Sequence, residues 1–392
     1  MPKNGKIGKS MIGKIVCLVL ALTLAGVAGA EFYTYRHTPE TVVAAEGLTE
    51  TRMLSDYVPS LKGTFGDTPI FVFDSGVEGA SVLYLGGTHP YEPAASLSAY
   101  VMLENIKVEK GRVFIIPQAN RSATTLGMLG NAYPTHYKVE TDWGTVEYKN
   151  GDRWANPLDS WPDPFTYRHY PSNVQLTYQD IRNVNRCYPG RENGSLIERV
   201  CYAIMELIRT EKIDLSIDSH EAAVMYPVVE TYVAHDRALD IAMMASMSLS
   251  SDKFYMKCEA SPKTLRGLSH REWGDFSDTL AVLMETPQPF TDWIVGPMTE
   301  ELQTLGKDEF LDTASKRGLT YVDYNAETGS PMKYRVGRHL SGALEVISWM
   351  NSMMPEKEVV VSWPTYEELM ENDCGHYLYN PETSDPSRVF EI

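Results

Sequence analysis

Residues 81–92 read SVLYLGGTHPYE, and this stretch indicates the fold more clearly than any other part of the sequence. Ser81–Leu85 has the apolar and aromatic character of a short buried strand. Gly86 and Gly87 follow it, and residues 93–103 have the spacing of a helix with proline in its first turn. The stretch therefore predicts a strand that leads through a glycine turn into a helix.

Strands and helices alternate on both sides of this stretch. The sequence predicts further strands at 70–73, 112–117, 213–217 and 279–284, and further helices at 196–209, 239–249 and 338–353. This order is typical of a layered α/β fold in which helices cover a sheet.

The remaining segments are separated by composition rather than by periodicity. Residues 31–68 are polar and irregular, which predicts a linker or N-terminal arm. Residues 69–355 form the predicted main domain. It contains an aromatic-rich insertion at about 128–178, because so long a stretch without periodicity is unusual inside a core. Residues 356–392 are predicted to be a C-terminal extension.

The first thirty residues have the pattern of an export signal or a membrane anchor. Four lysines precede an apolar run, Ile15 to Ala30, which ends in the small-residue pattern AGA. The run is slightly short for a membrane span, so a cleaved signal and an uncleaved anchor both remain open. In either case the lysines stay on the cytoplasmic side. We therefore expect an exported protein, either secreted or tethered by its N-terminal segment.

The charge of the chain excludes one class of partner. The formal net charge is −17, and it is −21 without the four lysines of the first thirty residues. Such an acidic body repels phosphate backbones, so we expect no nucleic-acid partner. The four cysteines beyond residue 30 are scattered and form no C-x-x-C pair, which argues against a cysteine zinc site.

His89 and Glu92 form an H-x-x-E pair directly after the first strand and its glycines. Imidazole nitrogen and carboxylate oxygen bind zinc, and a catalytic zinc uses three protein ligands and an open position. The pair alone is weak evidence, because nine histidines among 52 acidic residues produce about one such match by chance. A second match, His37-x-x-Glu40, lies in a polar segment and is interpreted as that chance match.

His220 and Glu285 also follow predicted strands. Ligands in open α/β sheets gather at the carboxyl ends of strands, so His220 is the predicted third zinc ligand. Glu285 directly follows the strand at 279–284, and a carboxylate in that place is a candidate general base. We therefore predict one zinc ion bound by His89, Glu92 and His220.

Three motifs in this order resemble those of the succinylglutamate desuccinylase/aspartoacylase group, which is related to zinc carboxypeptidases. They are LGGTHPYE at 85–92, NVNRCYPG at 183–190 and DSHEA at 218–222, and the resemblance covers about residues 80–290. It implies a central mixed β-sheet flanked by helices, the same three zinc ligands, and Glu285 as base and proton shuttle. It also implies that Asn185 and Arg186 bind a substrate carboxylate, for which the planar fork of arginine is suited.

The chain departs from the group's pattern beside two of the ligands. Pro90-Tyr91 stands where the group has Gly-Asn, so the ligand spacing is kept but the wall of the cleft changes. Asn183 stands where the group has an aspartate that binds a ligand histidine. An amide oxygen still accepts a hydrogen bond, but without charge it raises the basicity of the ligand less. Asp218 is a candidate substitute for that aspartate.

The group's second arginine, which polarises the scissile carbonyl, has no clear counterpart. Arg121 and Arg182 are the candidates, and we favour Arg121 because it follows the strand at 112–117. The resemblance thus implies a zinc-dependent hydrolase that cleaves an amide bond of a carboxylate-bearing substrate, in the manner of an N-acyl amino acid deacylase, and the N-terminal segment adds the expectation that it is exported. The substrate is then a small molecule or a peptide with a free carboxylate.

Two alternatives stay open on the sequence. An exported location favours a carboxypeptidase-like metallopeptidase that acts on peptides, whereas the residues of the three motifs favour a deacylase. The changed residue at 183 and the missing arginine favour a non-catalytic zinc-binding surface protein, with residues 128–178 as its binding surface. Glu285 argues against this last alternative, because a base has no use without chemistry.

Overall fold

The computed structural model describes residues 9–127, 134–290 and 298–392. Its helices are α1 (Lys9–His37), α2 (Pro93–Asn105), α3 (Arg121–Thr124), α4 (Pro157–Ser160), α5 (Leu196–Thr210), α6 (Leu239–Asp252), α7 (Ser269–Phe276), α8 (Glu300–Leu305), α9 (Glu309–Lys316), α10 (Met332–Met353) and α11 (Tyr366–Asn372). Its strands are β1 (Thr41–Val43), β2 (Glu50–Met53), β3 (Pro69–Asp74), β4 (Ser81–Leu85), β5 (Lys107–Lys110), β6 (Arg112–Ile116), β7 (His136–Thr141), β8 (Gly144–Lys149), β9 (Tyr167–Arg168), β10 (Gln175–Leu176), β11 (Leu215–Ala223), β12 (Thr231–Ala234), β13 (Lys257–Ala260), β14 (Leu280–Gln288), β15 (Val360–Ser362) and β16 (Val389–Glu391).

Eight of these strands form one mixed sheet in the order β13-β12-β14-β11-β4-β6-β3-β2. Strands β14, β11, β4 and β6 run parallel to one another, whereas β12 is antiparallel to β14 and β3 is antiparallel to β6. Helices cover both faces of the sheet. The predicted α/β class with a central mixed sheet flanked by helices is therefore confirmed.

The two faces of the sheet are apolar because buried side chains alternate along its central strands. Val82 and Tyr84 of β4 pack in a core with residues of α2, α6 and α10. Leu83 and Leu85 point the other way, into a core with residues of α5 and Trp273 of α7. We call this second side the α7 face. Burial on both faces explains why β4 is a continuous apolar run in the sequence.

The predicted elements correspond closely to the observed ones. The strand at 81–85 and the starts of the helices at 93, 196 and 239 are confirmed to the residue. Several elements are longer than predicted, and three differences are the largest. β14 extends to Gln288, so Glu285 lies within its strand rather than after it. β11 extends to Ala223, so His220 lies within the strand rather than after it, and α10 begins at Met332, six residues before the predicted start.

Both segments predicted to lie outside the main domain contribute to its structure. One compact unit comprises Glu40–Ile392. Near its start, β1 pairs with β16, and β2 is the edge strand of the main sheet beside β3. Residues of the C-terminal segment, including Trp363, Leu369 and Ile392, are buried in the same core as α2 and α10. These pairings join distant parts of the chain, which local periodicity does not reveal.

The aromatic-rich segment at 128–178 is partly a core element. Residues 128–133 of this prediction lie outside the described residues. The hairpin of β7 and β8 buries Tyr137, Val139 and Tyr148 in the core of the α2 side. Beyond it, Trp161 and Phe165 are exposed. The segment thus combines a packed hairpin with an irregular surface stretch.

The other compact unit, Met1–Pro39, contains helix α1. Residues 11–37 of this helix are long and apolar enough to cross a membrane, with a mean hydropathy of 2.3 over their most apolar window. Length and composition of this kind are shared by membrane anchors and signal sequences. Residues 1–8 of the predicted signal lie outside the described residues.

The burial of the C-terminal segment has a measurable consequence. Trp363 is 6% exposed and its indole Nε1 donates to the Leu340 carbonyl at 3.0 Å. We expect Trp363→Ala to lower the free energy of unfolding by about 3–5 kcal/mol in urea titrations, because it leaves a cavity in the core. Phe165 is fully exposed, so Phe165→Ala is the control and is expected to change the free energy of unfolding by about 0.5 kcal/mol or less. Equal effects of the two substitutions would contradict this role of the segment.

Candidate metal centre

Three side chains, from His89, Glu92 and His220, converge on one point at the carboxyl ends of β4 and β11. Glu92 Oε1 lies 2.8 Å from Nδ1 of His89, and Glu92 Oε2 lies 3.0 Å from Nδ1 of His220. One ligand atom of each residue lies within 4.8 Å of the others, and all three residues are buried. The structure therefore brings together the three residues that the sequence predicts as ligands.

The turn after β4 places the first two ligands. Gly87 adopts a φ of +63°, and a Cβ there would lie 2.9 Å from the Cα of Gln118. Only glycine combines this conformation with such a close approach. The turn ends at Glu92, which is the N-cap residue of α2, and Pro93 occupies the first helical position. The H-x-x-E spacing therefore spans a short turn that opens directly into a helix.

Both ligand histidines are held by their second ring nitrogen. Nε2 of His89 lies 2.9 Å from the amide oxygen of Asn183, and Nε2 of His220 lies 3.0 Å from Oδ2 of Asp218. An amide oxygen only accepts, so His89 carries its proton on Nε2 and presents the lone pair of Nδ1 to the cluster. Asn183 thus takes the place that the resemblance gives to an aspartate, and Asp218 supplies the negative charge at the other histidine.

Asp218 is itself fixed by two hydroxyl groups. Thr88 Oγ1 donates to Oδ1 at 2.8 Å, and Ser269 Oγ donates to Oδ2 at 2.5 Å. Together with Glu92, Asp218 raises the pKa of His220 against the opposing effect of burial. The carboxylate therefore increases the basicity of His220.

Glu285 lies beside the metal ligands, on the neighbouring strand. It is paired in register with His220 across β11 and β14, so both side chains project from the α7 face. Its Oε2 is buried and has no hydrogen-bond partner among the described residues. Burial raises the pKa of the Glu285 carboxyl to about 8. A carboxyl with such a pKa beside a metal site is able to exchange a proton near neutral pH.

An arginine that the sequence did not single out stands closest to this cluster. Nη2 of Arg153 lies 3.8 Å from Glu92 Oε1, and Nε and Nη2 donate to the Tyr91 hydroxyl at 3.1 and 2.6 Å. Tyr91 and Glu92 raise the pKa of Arg153 against the opposing effect of burial. The residue comes from the aromatic-rich segment, where no spacing or motif marks it.

The two arginines considered from the sequence lie elsewhere. Arg121 donates to the backbone carbonyl of Asp67 at 3.2 Å and stacks over Phe65, and it does not line the cavity described below. Arg182 binds the carboxylate of Asp163 at 3.0 Å. The expectation for Arg121 fails in the structure because α3 turns its side chain towards the β2–β3 connection, away from the ligands.

Asn185 and Arg186 do reach the site. Asn185 accepts a hydrogen bond from the backbone amide of Ser269 at 2.8 Å, and Nη1 of Arg186 donates to the Asn185 carbonyl at 2.7 Å. Burial lowers the pKa of Arg186, and Arg153 adds to this effect. Among the described residues Arg186 has no carboxylate partner, so its guanidinium has donors left for a ligand.

The three predicted ligands, Glu285, Arg153, Asn185 and Arg186 line one cavity of about 740 Å³. The metal ligands, Glu285 and the two arginines form one part of its wall. The other part is mainly apolar, with Val233, Pro262, Leu265, Leu268 and Leu283. This volume and lining suit a small molecule or a short peptide segment.

The donor set fits zinc. Two imidazole nitrogens and one carboxylate are the ligands of many catalytic zinc sites. Ligand atoms about 2.0–2.2 Å from a tetrahedral ion lie about 3.3–3.5 Å apart, so the observed separations of 2.8 and 3.0 Å need to grow by only a few tenths of an ångström. The cavity leaves the fourth position accessible.

No protein-family model and no curated protein matches the chain. Among solved structures, it is similar to a succinylglutamate desuccinylase from a Silicibacter species, with 16% identity, a TM-score of 0.34, and coverage of 56% of this chain and 53% of that one. The chain thus spans about half the length of that protein. A metallo-carboxypeptidase from Burkholderia cenocepacia has 11% identity, a TM-score of 0.42 and coverage of 84% and 68%.

An aspartoacylase family protein from Mesorhizobium loti is also similar, with 17% identity, a TM-score of 0.35, and coverage of 70% of this chain and 69% of that one. These solved structures belong to the two classes that the motifs resemble. At such identities and TM-scores they carry no information about the reaction, which has to be inferred from this chain's own residues.

The hydrogen bonds around Asp218 lead to a prediction about metal affinity. Asp218→Asn removes the charge beside His220 and replaces one acceptor with a donor. We expect it to weaken zinc binding about 10- to 100-fold in chelator-competition titrations. Asp240 is exposed in the first turn of α6, so Asp240→Asn is the matched control and leaves zinc affinity unchanged. Unchanged affinity in Asp218→Asn would show that Asp218 does not support the ligand.

Proposed function

We propose that this chain is a zinc-dependent hydrolase that cleaves an amide bond in a substrate with a free carboxylate. One observation supports it above the others. A His-Glu-His cluster lines the same cavity as Glu285, whose buried Oε2 has no hydrogen-bond partner among the described residues, and His220 and Glu285 are in register on adjacent strands. Metal-assisted hydrolysis needs a ligand set and a base in this relation.

A zinc ion held by His89, Glu92 and His220 supplies Lewis acidity, which polarises a carbonyl and lowers the pKa of water. Glu285 accepts the proton of the attacking water at its carboxylate and then donates it to the nitrogen of the leaving amine. Its raised pKa suits both steps, since the carboxyl gains and loses a proton close to neutral pH.

Arg153 is the group that we assign to the carbonyl oxygen of the substrate. Its guanidinium is held by the Tyr91 hydroxyl within 3.8 Å of a ligand oxygen, so a donor faces the place where negative charge develops. A donor oriented in advance stabilises that charge without reorganisation. Arg153 thus takes the role that the sequence analysis gave to Arg121.

Arg186 and Asn185 are the groups that we assign to the carboxylate of the substrate. Arg186 offers a planar pair of donors from the cavity wall, and it lies on the same short segment as Asn183, which holds His89. A bound carboxylate would therefore keep a fixed distance from the metal ligands. This fixes which amide bond of the substrate is presented to Glu285.

These requirements are met by an N-acyl amino acid and also by a peptide with a free C-terminus. We favour a deacylase activity because of the motifs. A carboxypeptidase-like activity is the second candidate, because a cavity of about 740 Å³ also suits a short peptide segment. The unpartnered Glu285 carboxyl weighs against the non-catalytic alternative. We further propose that the catalytic unit works outside the cytoplasm, secreted or tethered through α1, because α1 is long and apolar enough to cross a membrane.

The central test combines metal content, hydrolysis and one substitution. The purified protein is expected to contain one zinc and to hydrolyse N-acyl amino acids or peptides with a free C-terminus. Product analysis identifies which of the two classes it cleaves. We expect Glu285→Gln to keep its zinc and to lower kcat about 10²- to 10⁴-fold, because the proton acceptor is lost. A kcat within tenfold of the parent protein would exclude Glu285 as the base.

Arg153 and Arg121 provide a matched pair for the second test. Arg153→Met is expected to lower kcat about 10²- to 10³-fold with little change in KM, because the donor acts mainly on charge that develops in the transition state. Arg121→Met removes the same group outside the cavity and is expected to keep kcat within about threefold. Thermal unfolding of both variants controls for folding. A larger loss of kcat in Arg121→Met than in Arg153→Met would instead assign the carbonyl oxygen of the substrate to Arg121.

A further inference from the structure

The cavity contains one acidic side chain that neither the metal site nor the fold uses. Glu92 is a ligand, Glu285 is the proposed base, and Glu221 binds Arg335 at 2.7 Å. Glu259, on β13, lines the same cavity and makes no ion pair among the described residues. The ammonium of Lys257, two residues earlier on the strand, donates a hydrogen bond to the Pro227 carbonyl at 2.7 Å.

The register of the sheet places Glu259 relative to the reaction centre. Val233 is paired with Leu283 across β12 and β14, and Glu259 is paired with Val233 across β12 and β13. All three residues line the cavity, so they share the α7 face with Glu285. Strands lie about 4.8 Å apart and residues rise about 3.3 Å along a strand, which puts the Cα of Glu259 about 12 Å from the Cα of Glu285.

The wall between these two carboxylates is apolar. Val233 and Leu283 form its floor, and Pro262, Leu265 and Leu268 lie along its side. Both glutamate side chains stand on the same face of the sheet, so their carboxylates are about as far apart as their Cα atoms. A polar contact of about 3 Å at each end and a ligand side chain of about 6 Å between them span such a distance. An apolar stem that ends in a polar group therefore fits this part of the cavity, because its methylenes pack on the wall while its tip reaches Glu259.

His270 also lines the cavity, and the charged groups that act on its pKa include His220, Asp218 and Arg186. It is buried, and its Nδ1 lies 2.7 Å from Ser261 Oγ. Burial lowers the pKa of His270 to about 3, so the ring is neutral at neutral pH and does not repel a cation. When Nδ1 donates to Ser261, Nε2 is an acceptor. His270 thus belongs with the metal ligands and Arg186, and Glu259 alone offers a negative charge to a cationic group at the other end of the apolar wall.

We propose that Glu259 is a specificity-determining residue and that the carboxylate-bearing half of the substrate has a side chain ending in a cation, a primary ammonium on a straight stem of three or four carbons. This inference rests on the proposed function, since it takes Arg186 as the carboxylate site and Glu285 as the reaction centre. An acidic side chain in the same place meets the Glu259 carboxylate and is disfavoured.

The test compares substrates that differ only in the terminal group. The zinc-loaded full chain is assayed with N-benzoylglycyl-lysine, N-benzoylglycyl-norleucine and N-benzoylglycyl-glutamate, and with the N-acetyl forms of the same three amino acids. Lysine and norleucine share a four-carbon stem. We expect kcat/KM to be about fivefold higher for lysine than for norleucine, lowest for glutamate, and the lysine preference to shrink in high salt.

The variants assign this preference to Glu259. Glu259→Gln is expected to bring the lysine-to-norleucine ratio close to one while norleucine turnover stays within about twofold. Glu46, whose side chain is 91% exposed, provides the control Glu46→Gln, which changes the net charge equally and keeps the ratio. A ratio near one in the parent protein, or a ratio that survives Glu259→Gln, overturns the proposal.

Binding without turnover separates this inference from the proposed function. Calorimetric titration of the Glu285→Gln protein with N-acetyl-lysine and N-acetyl-norleucine reports recognition alone. Tighter binding of the lysine ligand that is lost on adding Glu259→Gln supports the specificity role, even if no amide is hydrolysed and the proposed function fails. Hydrolysis without a lysine preference, or equal binding of the two ligands, overturns the specificity role and leaves the proposed function intact.

Discussion

Strand β11 lies between β4 and β14, and its register with both strands determines where the site forms. Asp218 is opposite Leu85, the last residue of β4, so the next two residues of β11 extend past that strand to the turn that carries Glu92. On its other side β11 places His220 opposite Glu285. A slip of one residue would turn every side chain of β11 to the opposite face. Leu215 and Ile217 would then leave the core on the α2 side and Asp218 would enter it, so such a slip is costly and the core protects the geometry of the site.

The charges at the site are stable only because the surrounding fold supplies their partners. Glu221 is buried, its backbone amide donates to Glu92 Oε2 at 3.0 Å, and its carboxylate accepts from the Ala94 amide at 2.8 Å. Arg335 of α10 completes the group with an ion pair of 2.7 Å to Glu221. Removing one partner of such a buried pair typically costs about 3–5 kcal/mol. Arg335 of α10 thus holds the carboxylate of the residue whose backbone amide supports one predicted ligand, Glu92.

Local signals in the sequence were sufficient for the ligands and the central strands. His89, Glu92 and His220 follow apolar runs at strand ends, and the carboxyl ends of parallel strands meet at one edge, so their convergence followed from pattern alone. Arg153 has no such signal, because its position depends on how an irregular segment folds back over the sheet. The pairing of β1 with β16 joins the two ends of the main unit and leaves no trace in local periodicity. Non-local contacts thus account for what the sequence analysis missed.

Tyr91 and the aromatic-rich segment looked independent in the sequence, but the structure joins them. Tyr91 stands between two ligands where the group has a smaller residue, and its hydroxyl accepts both hydrogen bonds that Arg153 makes to it. Arg153 comes from the aromatic-rich segment that the group's motifs do not include. The Tyr91 backbone carbonyl is held in turn by Gln288 of β14 at 2.8 Å. The turn that carries the ligands therefore also orients the arginine, and a change at residue 91 would alter the metal site and the carbonyl site together. On this argument the aromatic-rich segment is a structural part of the candidate site rather than an added surface.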